Sequence, residues 1–224
     1  MSRPKLIIFD LDDTLVHSAL NYQRMREVVL GLFPNHEARE GLTTQTPLRF
    51  VLARLGDHYP ELVNKAWLEI QRVEAEAVRD ATIIPGADLI PQVLEHLGVA
   101  SAILTNNTRA TVDLYLKKFP FLHQFSCVIT RDDAPAMKPD PAGLEMVMSH
   151  VRKGLPDLQA DQVWYVGDAT IDATAAALAG VQFVLFNYRQ LPADQFSPSP
   201  TYLLSAWDQL ENLISKPVGE TPCQ

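Results

Sequence analysis

The chain is poor in cysteine, with only two among its 224 residues, Cys127 and Cys223. Two cysteines cannot build the disulfide framework of a small secreted domain, and such low usage is typical of a reducing compartment. Cys127 stands in an apolar run and is expected to be a core residue. We therefore predict a cytoplasmic protein without structural disulfides.

Long apolar runs are also absent, and no stretch approaches the roughly 20 apolar residues that a helix needs to cross a bilayer. The first apolar run follows Met-Ser-Arg-Pro-Lys and is interrupted by Asp10, so it does not resemble a signal peptide. These absences predict a soluble protein with no membrane partner.

Positive charge is in deficit, because 19 Lys and Arg residues stand against 27 Asp and Glu residues, for a net charge of −8. This balance argues against binding a nucleic acid or an anionic membrane through broad electrostatic attraction. A small anionic substrate remains compatible, because a metal ion and a few cations can reverse the sign of the charge inside one pocket.

Five apolar segments have the length and composition of buried strands, and helix-like segments separate the later ones. The predicted strands span 6–9, 99–105, 125–130, 163–167 and 181–186, and the predicted helices span 87–97, 108–118, 140–152 and 170–179. This alternation predicts an α/β fold with a parallel sheet. The carboxyl ends of its strands would lie along one edge, where open α/β sheets bind their ligands.

The interval 16–82 breaks this alternation. It has no good strand, and amphipathic helices are predicted within it at about 19–32, 47–57 and 60–80. We interpret it as an inserted all-helical cap above the strand ends, with residues 1–15 and 83–224 forming a discontinuous core. After about residue 190 the chain is rich in Pro and Ser, and one helix is then predicted around 203–214.

Four polar segments fall at or just after predicted strand ends. They are Asp10-Leu-Asp12-Asp-Thr14, Leu104-Thr105-Asn106-Asn107-Thr108, Met137-Lys138-Pro139-Asp140-Pro141 and Gly167-Asp168-Ala-Thr-Ile-Asp172. Each alone has an ordinary explanation, such as a helix cap at Thr105 or Asn106, or a turn at Gly167. Their combination favours one site at the edge of the sheet.

Transfer of a phosphoryl group through a carboxylate needs residues of these types. Asp10 and Asp12 would point to the same side of an extended strand. An ionised Asp10 could attack phosphorus, and Asp12 could protonate the leaving alcohol and then accept a proton from water. The Thr105 hydroxyl, the Asn106 backbone N–H and the Lys138 ammonium could hold the phosphoryl oxygens.

The same acidic residues favour a magnesium site. Mg²⁺ prefers oxygen ligands, which Asp10, the backbone carbonyl of Asp12 and Asp168 could supply. Asp172 lies four residues beyond Asp168, one helical turn, and could reach the same site. No His or Cys occurs in the set, which disfavours zinc.

In this order, the four segments resemble the four motifs of the haloacid dehalogenase-like (HAD) superfamily: Asp-x-Asp-x-Thr, Thr-Asn after a strand, the lysine of Lys-Pro-x-Pro, and Gly-Asp-x-x-x-Asp. The resemblance covers residues 6 to about 187 and is to the phosphatase branch with a helical cap after the first motif, which includes phosphoglycolate phosphatase-like members. It implies a Rossmann-like core. The roles that it implies are a nucleophile at Asp10, an acid/base at Asp12, Mg²⁺ ligands at Asp10, Asp12 and Asp168, a phosphoryl-binding pair at Thr105 and Lys138, and a supporting role for Asp172.

The leading hypothesis is a Mg²⁺-dependent phosphatase that hydrolyses a small phosphate monoester through an aspartyl-phosphate intermediate. Dehalogenating members of the superfamily lack an acid at the position of Asp12, so its presence favours a phosphate ester over a carbon–halogen bond. A HAD-type phosphomutase has the same motifs and stays an alternative. A non-catalytic phosphate-binding regulatory module is the third possibility, although the nucleophile and the lysine are both retained.

Substrate contacts are expected from the helical insertion, and Arg49 is the foremost candidate because a guanidinium suits a carboxylate or a second phosphate. Asn107 could reach the leaving group or cap the following helix. Asp13 stands where many relatives have glycine, and we interpret it as a requirement of backbone geometry or as a residue that supports the site. The protein is expected to be a monomer or a homodimer.

Overall fold

The fold is that of a computed structural model, which describes residues 3–215, so Cys223 lies outside the described residues. Within that range the strands are β1 (Leu6–Phe9), β2 (Val16–His17), β3 (Thr82–Ile83), β4 (Ala100–Leu104), β5 (Val128–Ile129), β6 (Val163–Gly167), β7 (Gln182–Phe186) and β8 (Tyr202–Leu204). The α-helices of the same range are α1 (Tyr22–Leu30), α2 (Leu48–His58), α3 (Pro60–Asp80), α4 (Ile90–His96), α5 (Arg109–Lys118), α6 (Ala142–Val151), α7 (Thr170–Ala179) and α8 (Leu210–Ser215). Short 3₁₀ helices lie at Glu37–Arg39, Ala87–Leu89, Pro120–Gln124, Ala160–Gln162, Ala193–Gln195 and Trp207–Gln209.

Among the described residues, six strands form one parallel sheet in the order β5-β4-β1-β6-β7-β8. Strand β1 lies between β4 and β6, with Leu6 opposite Ala100 on one side and Val163 on the other. All four residues of β1 are buried, as expected for an apolar strand covered on both faces. The predicted α/β fold with a parallel sheet is confirmed, and the carboxyl end of β1 lies near the middle of the sheet edge.

The helices that follow β4 and β6 begin and end at recognisable signals. The Thr108 hydroxyl accepts a hydrogen bond from the Thr111 N–H and caps α5. Helix α7 spans the residues predicted for it and ends at Gly180, whose φ of 69° suits a residue without Cβ. The main core lies between the sheet and helices α6 and α7, and its fully buried members include Leu6, Ile8, Leu144, Val147, Tyr165, Ala175 and Leu185.

The strand predicted at 125–130 is shorter than expected, because only Val128–Ile129 forms β5. The 3₁₀ helix at Pro120–Gln124 occupies the chain just before it, although the Ser126 N–H still donates to the Ser101 carbonyl and the Cys127 carbonyl accepts from the Ile103 N–H, each at 2.9 Å. The interval predicted to lack strands is bounded by the short strands β2 and β3, which pair antiparallel with Val16 opposite Ile83.

The prediction of one helix around 203–214 is wrong over its first four residues. Residues Tyr202–Leu204 form the edge strand β8, with Leu203 opposite Leu185 of β7. The helical part begins with the 3₁₀ turn at Trp207 and continues as α8. The predicted helix is therefore found only from Trp207 onward.

The described residues divide into two compact units, one within Met1–His17 and Thr82–Gln224 and the other within Ser18–Ala81. The second unit consists of α1, α2 and α3 with their connections. Apolar residues at helical spacing on α3 are buried in its core, for example Ala66, Ile70 and Val73. The role of this unit as a cap stays a prediction.

Cys127 is partly buried and packs against the main core, so the prediction of a core position is only partly correct. Burial raises the pKa of its thiol, which keeps the thiol protonated near neutral pH. None of the helices in residues 3–215 is both long and apolar enough to cross a membrane.

Candidate active site

The chain turns sharply where β1 ends, and this turn carries the first two acidic residues of the site. The Asp10 N–H donates to the Val166 carbonyl at 2.8 Å, and the Asp13 N–H donates to the Val16 carbonyl at 2.7 Å. Asp13 has a φ of 54°, a left-handed conformation that favours glycine, which supports the interpretation of this position as a requirement of backbone geometry. Asp10 and Asp12 are both buried as a result.

Trp207 fixes this turn from the far end of the chain. Its indole Nε1–H donates to the Thr14 carbonyl at 3.1 Å. Its ring stacks on Phe186 with a centroid distance of 4.2 Å and meets Phe9 edge-on at 5.6 Å. The aromatic cluster therefore supports the strand end that delivers Asp10.

Lys138 lies at the centre of the polar cluster. Its ammonium donates to Asp10 Oδ1 at 2.6 Å, to Asp172 Oδ1 at 2.8 Å and to the Tyr165 hydroxyl at 2.9 Å. These contacts engage all three ammonium protons. Burial alone would lower the pKa of Lys138, but Asp10 and Asp172 outweigh it and hold that pKa above its usual value. Lys138 is therefore a permanent cation in this site.

The position of Lys138 is set by the Asn106 side chain. Asn106 Nδ2 donates to the Lys138 carbonyl at 3.1 Å, and the Lys138 N–H donates to Asn106 Oδ1 at 2.9 Å. Arg131 Nη1 in turn donates to the Asn106 carbonyl at 3.2 Å. The loop after β4 and the loop that carries the lysine are thus joined side by side.

A second set of hydrogen bonds joins the same loops near α5. The Arg109 N–H donates to Asp132 Oδ2 at 2.7 Å, and the Arg109 guanidinium pairs with Asp133. Asp133 also accepts from the N–H and the hydroxyl of Thr130 at 2.8 and 2.7 Å. These contacts brace the loop that begins after β5.

Three buried carboxylates converge beside Lys138. One oxygen each from Asp10, Asp168 and Asp172 lies within 4.8 Å of the others. Burial raises the pKa of Asp10 well above its usual value, the Lys138 ammonium opposes the rise, and Asp172 and Asp168 add to it. Burial and Asp172 likewise raise the pKa of Asp168 to about 7, against the opposing charge of Arg189.

Gly167 allows Asp172 to approach the end of β6. A Cβ at position 167 would lie 2.5 Å from Asp172 Cγ, well inside van der Waals contact. Asp172 Oδ1 accepts from Tyr165 at 2.9 Å as well as from Lys138, and its Oδ2 accepts from the Ala169 N–H at 3.0 Å. A side chain at position 167 would therefore collide with Asp172, which explains the glycine of the fourth motif.

The Asp12 carboxylate lies in a separate hydrogen-bond network. Asn107 Nδ2 donates to Asp12 Oδ2 at 2.6 Å, and the Tyr115 hydroxyl donates to Asp12 Oδ1 at 2.9 Å. The suggested helix caps at Thr105, Asn106 and Asn107 are wrong, because Thr108 caps α5. Thr105 is buried, and its hydroxyl oxygen accepts from the Asn107 N–H at 3.1 Å.

The structure thus brings most of the sequence-predicted residues into two hydrogen-bonded groups. One contains Asp10, Asn106, Lys138 and Asp172, with an oxygen of Asp168 within 4.8 Å of oxygens of Asp10 and Asp172, and the other contains Asp12 and Thr105, which Asn107 joins. Arg49 lies in the helical unit, exposed, with its guanidinium 4.5 Å from the centroid of the Phe50 ring. The roles assigned to these residues stay predictions.

Three side chains of the cluster escape sequence reasoning. Tyr115 and Tyr165 stand on predicted core faces, where a tyrosine is more often a packing residue. Arg189 follows β7 in an irregular segment and pairs with Asp168, with its Nη1 3.4 Å from Asp13 Oδ2. The sequence signal that could have identified either tyrosine is its polar hydroxyl group within an otherwise apolar stretch.

The chain is similar in sequence to known hydrolases. Residues 7–186 match the haloacid dehalogenase-like hydrolase family. The chain is 30% identical over 220 residues to a phosphoglycolate phosphatase from Cereibacter sphaeroides, an alignment that covers 93% of this chain and 96% of that protein. It is 33% identical over 195 residues to a phosphoglycolate phosphatase from Pseudomonas syringae pathovar tomato, covering 83% and 70% of the two chains.

A solved structure shares the fold. A protein from Bacteroides fragilis, described as a haloacid dehalogenase-like hydrolase, superposes with a TM-score of 0.72 at 22% identity, covering 92% of this chain and 99% of that one. The chain belongs to the haloacid dehalogenase-like hydrolase family. The resemblance found in the four motifs and the predicted enzyme class are both confirmed.

Proposed function

We propose that the protein is a Mg²⁺-dependent phosphatase that hydrolyses a small phosphate monoester through an aspartyl phosphate on Asp10. The observation that carries the proposal is the 2.6 Å contact between the Lys138 ammonium and Asp10 Oδ1. A cation at this distance favours the ionised, nucleophilic form of a carboxylate whose surroundings otherwise disfavour it. To hold an oxygen of the transferring phosphoryl group, the same ammonium would exchange one of its three present hydrogen bonds for that oxygen.

The reaction has two steps. In the first, an Asp10 oxygen bonds to phosphorus while the ester P–O bond breaks, and the leaving oxygen takes a proton from the Asp12 carboxyl group. In the second, the Asp12 carboxylate accepts a proton from water, and the water oxygen bonds to phosphorus. The bond to Asp10 breaks and its electron pair returns to that carboxylate. One ester and one water give one alcohol and one phosphate.

Asp10, Asp168 and the Asp12 backbone carbonyl would hold Mg²⁺, with Asp172 supporting the site. When bound, the cation neutralises charge on the phosphoryl oxygens and offsets the repulsion among the carboxylates. The close approach of the Asp10, Asp168 and Asp172 oxygens supports this assignment. Lys138 would orient Asp10 and Asp172 through its hydrogen bonds to both carboxylates.

We propose phosphoglycolate as the first substrate to test, because the relatives from Cereibacter sphaeroides and Pseudomonas syringae bear the name phosphoglycolate phosphatase. Its carboxylate calls for a cation, and the exposed Arg49 of the helical unit is the proposed partner. The matched variants R49K and R49A separate charge from bidentate geometry. Both should raise KM more than they lower kcat, and the alanine variant should do so more strongly.

The proposal is tested by phosphate release from phosphoglycolate, sugar phosphates and nucleoside monophosphates. We expect release from at least one ester with Mg²⁺, loss of release on chelation, and recovery when Mg²⁺ is restored. No release from any ester, or release that persists after chelation, would contradict the proposal. Phosphorus NMR of the products distinguishes free phosphate from an isomerised ester, which a phosphomutase would form.

A further inference from the structure

The buried Tyr115 hydroxyl is the least expected polar group of the site. Tyr115 lies on α5 and its side chain is wholly buried, yet its hydroxyl reaches Asp12, which stands 103 residues earlier in the chain. Its ring stacks against Phe119 with a centroid distance of 6.3 Å. Packing of the ring needs no hydroxyl, and a buried hydroxyl is costly unless it is hydrogen-bonded. The hydroxyl is therefore best explained by its contact with Asp12.

Tyr115 and Asn107 together engage both oxygens of the Asp12 carboxylate, at 2.9 and 2.6 Å. Donors on both oxygens prevent the carboxylate from rotating about its last bond. Each carboxylate oxygen has two lone pairs, so one hydrogen bond to each does not by itself prevent the transfer of a proton. Asp12 is thus held in one orientation and remains able to transfer a proton.

Both donors are placed by one short stretch of chain. Asn107 is held from its backbone, because its N–H donates to the Thr105 hydroxyl at 3.1 Å and its carbonyl accepts from the Arg131 N–H at 3.1 Å. Tyr115 is held by α5, which begins two residues after Asn107 at Arg109. The segment after β4 therefore positions Asp12 as well as Lys138, the latter through Asn106.

We propose that Tyr115 is a positioning residue that, with Asn107, aims the Asp12 carboxyl group at the leaving oxygen of the substrate. This inference rests on the proposed phosphatase function. Its expected consequence concerns the proton transfer, because the Tyr115 hydroxyl and the Asn107 amide donate to Asp12, whereas the Lys138 ammonium donates to Asp10.

The test varies how much the leaving group needs a proton. An alkyl phosphate releases a strongly basic alkoxide and requires a general acid, whereas acetyl phosphate releases acetate, which does not. For the best alkyl ester of the substrate screen, we expect Tyr115→Phe to lower kcat/KM by about tenfold to a hundredfold, part of the usual contribution of general acid catalysis. For acetyl phosphate, the change should stay within about twofold.

Two comparisons make the result specific. Tyr165→Phe removes a hydroxyl of equal burial from the Lys138 side, and it should lower kcat/KM for both substrates by a similar factor. In a double-mutant cycle on the alkyl ester, adding Tyr115→Phe to Asp12→Asn should cause little further loss, because the partner through which Tyr115 acts has already been disabled.

Equal losses on both substrates for Tyr115→Phe, or losses that simply add to those of Asp12→Asn, would overturn the positioning role. Activity of the variant on acetyl phosphate also reports that the fold and the nucleophile are intact. If the wild-type protein releases no phosphate from any ester, the proposed function fails. If it does and Tyr115→Phe is unaffected, only this inference fails.

Discussion

Lys138 Nζ lies 2.6 Å from Asp10 Oδ1, although 128 residues separate the two in the chain. The contact joins the end of β1 to a loop that follows β5, two strands away in the sheet. It brings the proposed nucleophile and the Lys138 ammonium together where both side chains are buried. Much of the proposed chemistry depends on this pair.

Replacing Lys138 with Met keeps the length of the side chain and removes its charge. We expect kcat/KM to fall by about a hundredfold to a thousandfold, as for loss of a donor that stabilises a transition state. The carboxylates would lose their internal cation, so the variant should also melt at a lower temperature without metal. Steady-state kinetics and thermal unfolding followed by circular dichroism measure the two effects. Lys117→Met, on the exposed end of α5, is the matched control and should change neither.

Replacing Gly167 with Ala tests the space beside Asp172. The new Cβ would lie 2.5 Å from Asp172 Cγ, so the carboxylate must move away from Lys138 and Tyr165. We expect destabilisation of about 1–3 kcal/mol, as for overpacking, together with a clear loss of kcat. Gly154→Ala is the control, because its Cβ would make only an ordinary contact at 3.8 Å with the Val151 carbonyl. Equal stability of the two variants would contradict the steric explanation.

Replacing Asn106 with Ala removes both side-chain hydrogen bonds to the Lys138 backbone. The ammonium should then occupy several positions, and kcat should fall by about tenfold or more, because small displacements of catalytic groups are costly. Unfolding in denaturant should change by only about 1–2 kcal/mol, the usual range for such bonds. An unchanged kcat would show that the loop places the lysine without this asparagine.

The lowered pKa of Asp133 predicts that the free energy of unfolding depends on pH. Burial would raise its pKa, but hydrogen bonds from Thr130 and the Arg109 guanidinium outweigh burial and hold the pKa of Asp133 below its usual value. A carboxyl group whose pKa is lowered on folding stabilises the folded state above its unfolded pKa of about 3.9, and this contribution is lost as the pH falls through the folded pKa.

Asp133→Ala should therefore be less stable than the wild type at pH 7, by about 1–2 kcal/mol for the lost charge-assisted bonds. The difference should be constant down to about pH 5 and shrink below about pH 4. Denaturant unfolding of both proteins across this range measures it. A difference that grows on acidification would reverse the assigned sign.

Much of the core fold follows from local sequence patterns. The apolar runs that form β1, β4, β6 and β7 are long enough to be recognised, and the alternation with helices implies parallel pairing. The strands β2 and β3 have two residues each and β8 has three, too few for a periodic pattern. Their pairing is decided by the neighbouring strand, which the local sequence does not reveal.

The site is predictable to the extent that its residues stand at strand ends. Asp10 and Asp168 directly follow apolar strands, Lys138 lies in the loop after β5, and the parallel topology brings these segments to one edge of the sheet. Tyr115 and Tyr165 contribute hydroxyls from positions inside a helix and a strand, where their sequence context indicates only burial. Arg189 reaches Asp168 from an irregular segment, and no periodicity marks such a contact in advance.

The most direct test of the central claim is to trap the phosphorylated enzyme. The protein is mixed with Mg²⁺ and substrate radiolabelled in its phosphoryl group, and the reaction is quenched in acid during turnover. Protein-bound label is measured in one portion. The other portion is reduced with borohydride, which converts an aspartyl phosphate to homoserine, and is mapped by peptide mass spectrometry. We predict label that forms and decays within one turnover, and homoserine at position 10 only. Absence of label while phosphate is being released, or modification at another aspartate, would contradict an aspartyl phosphate on Asp10.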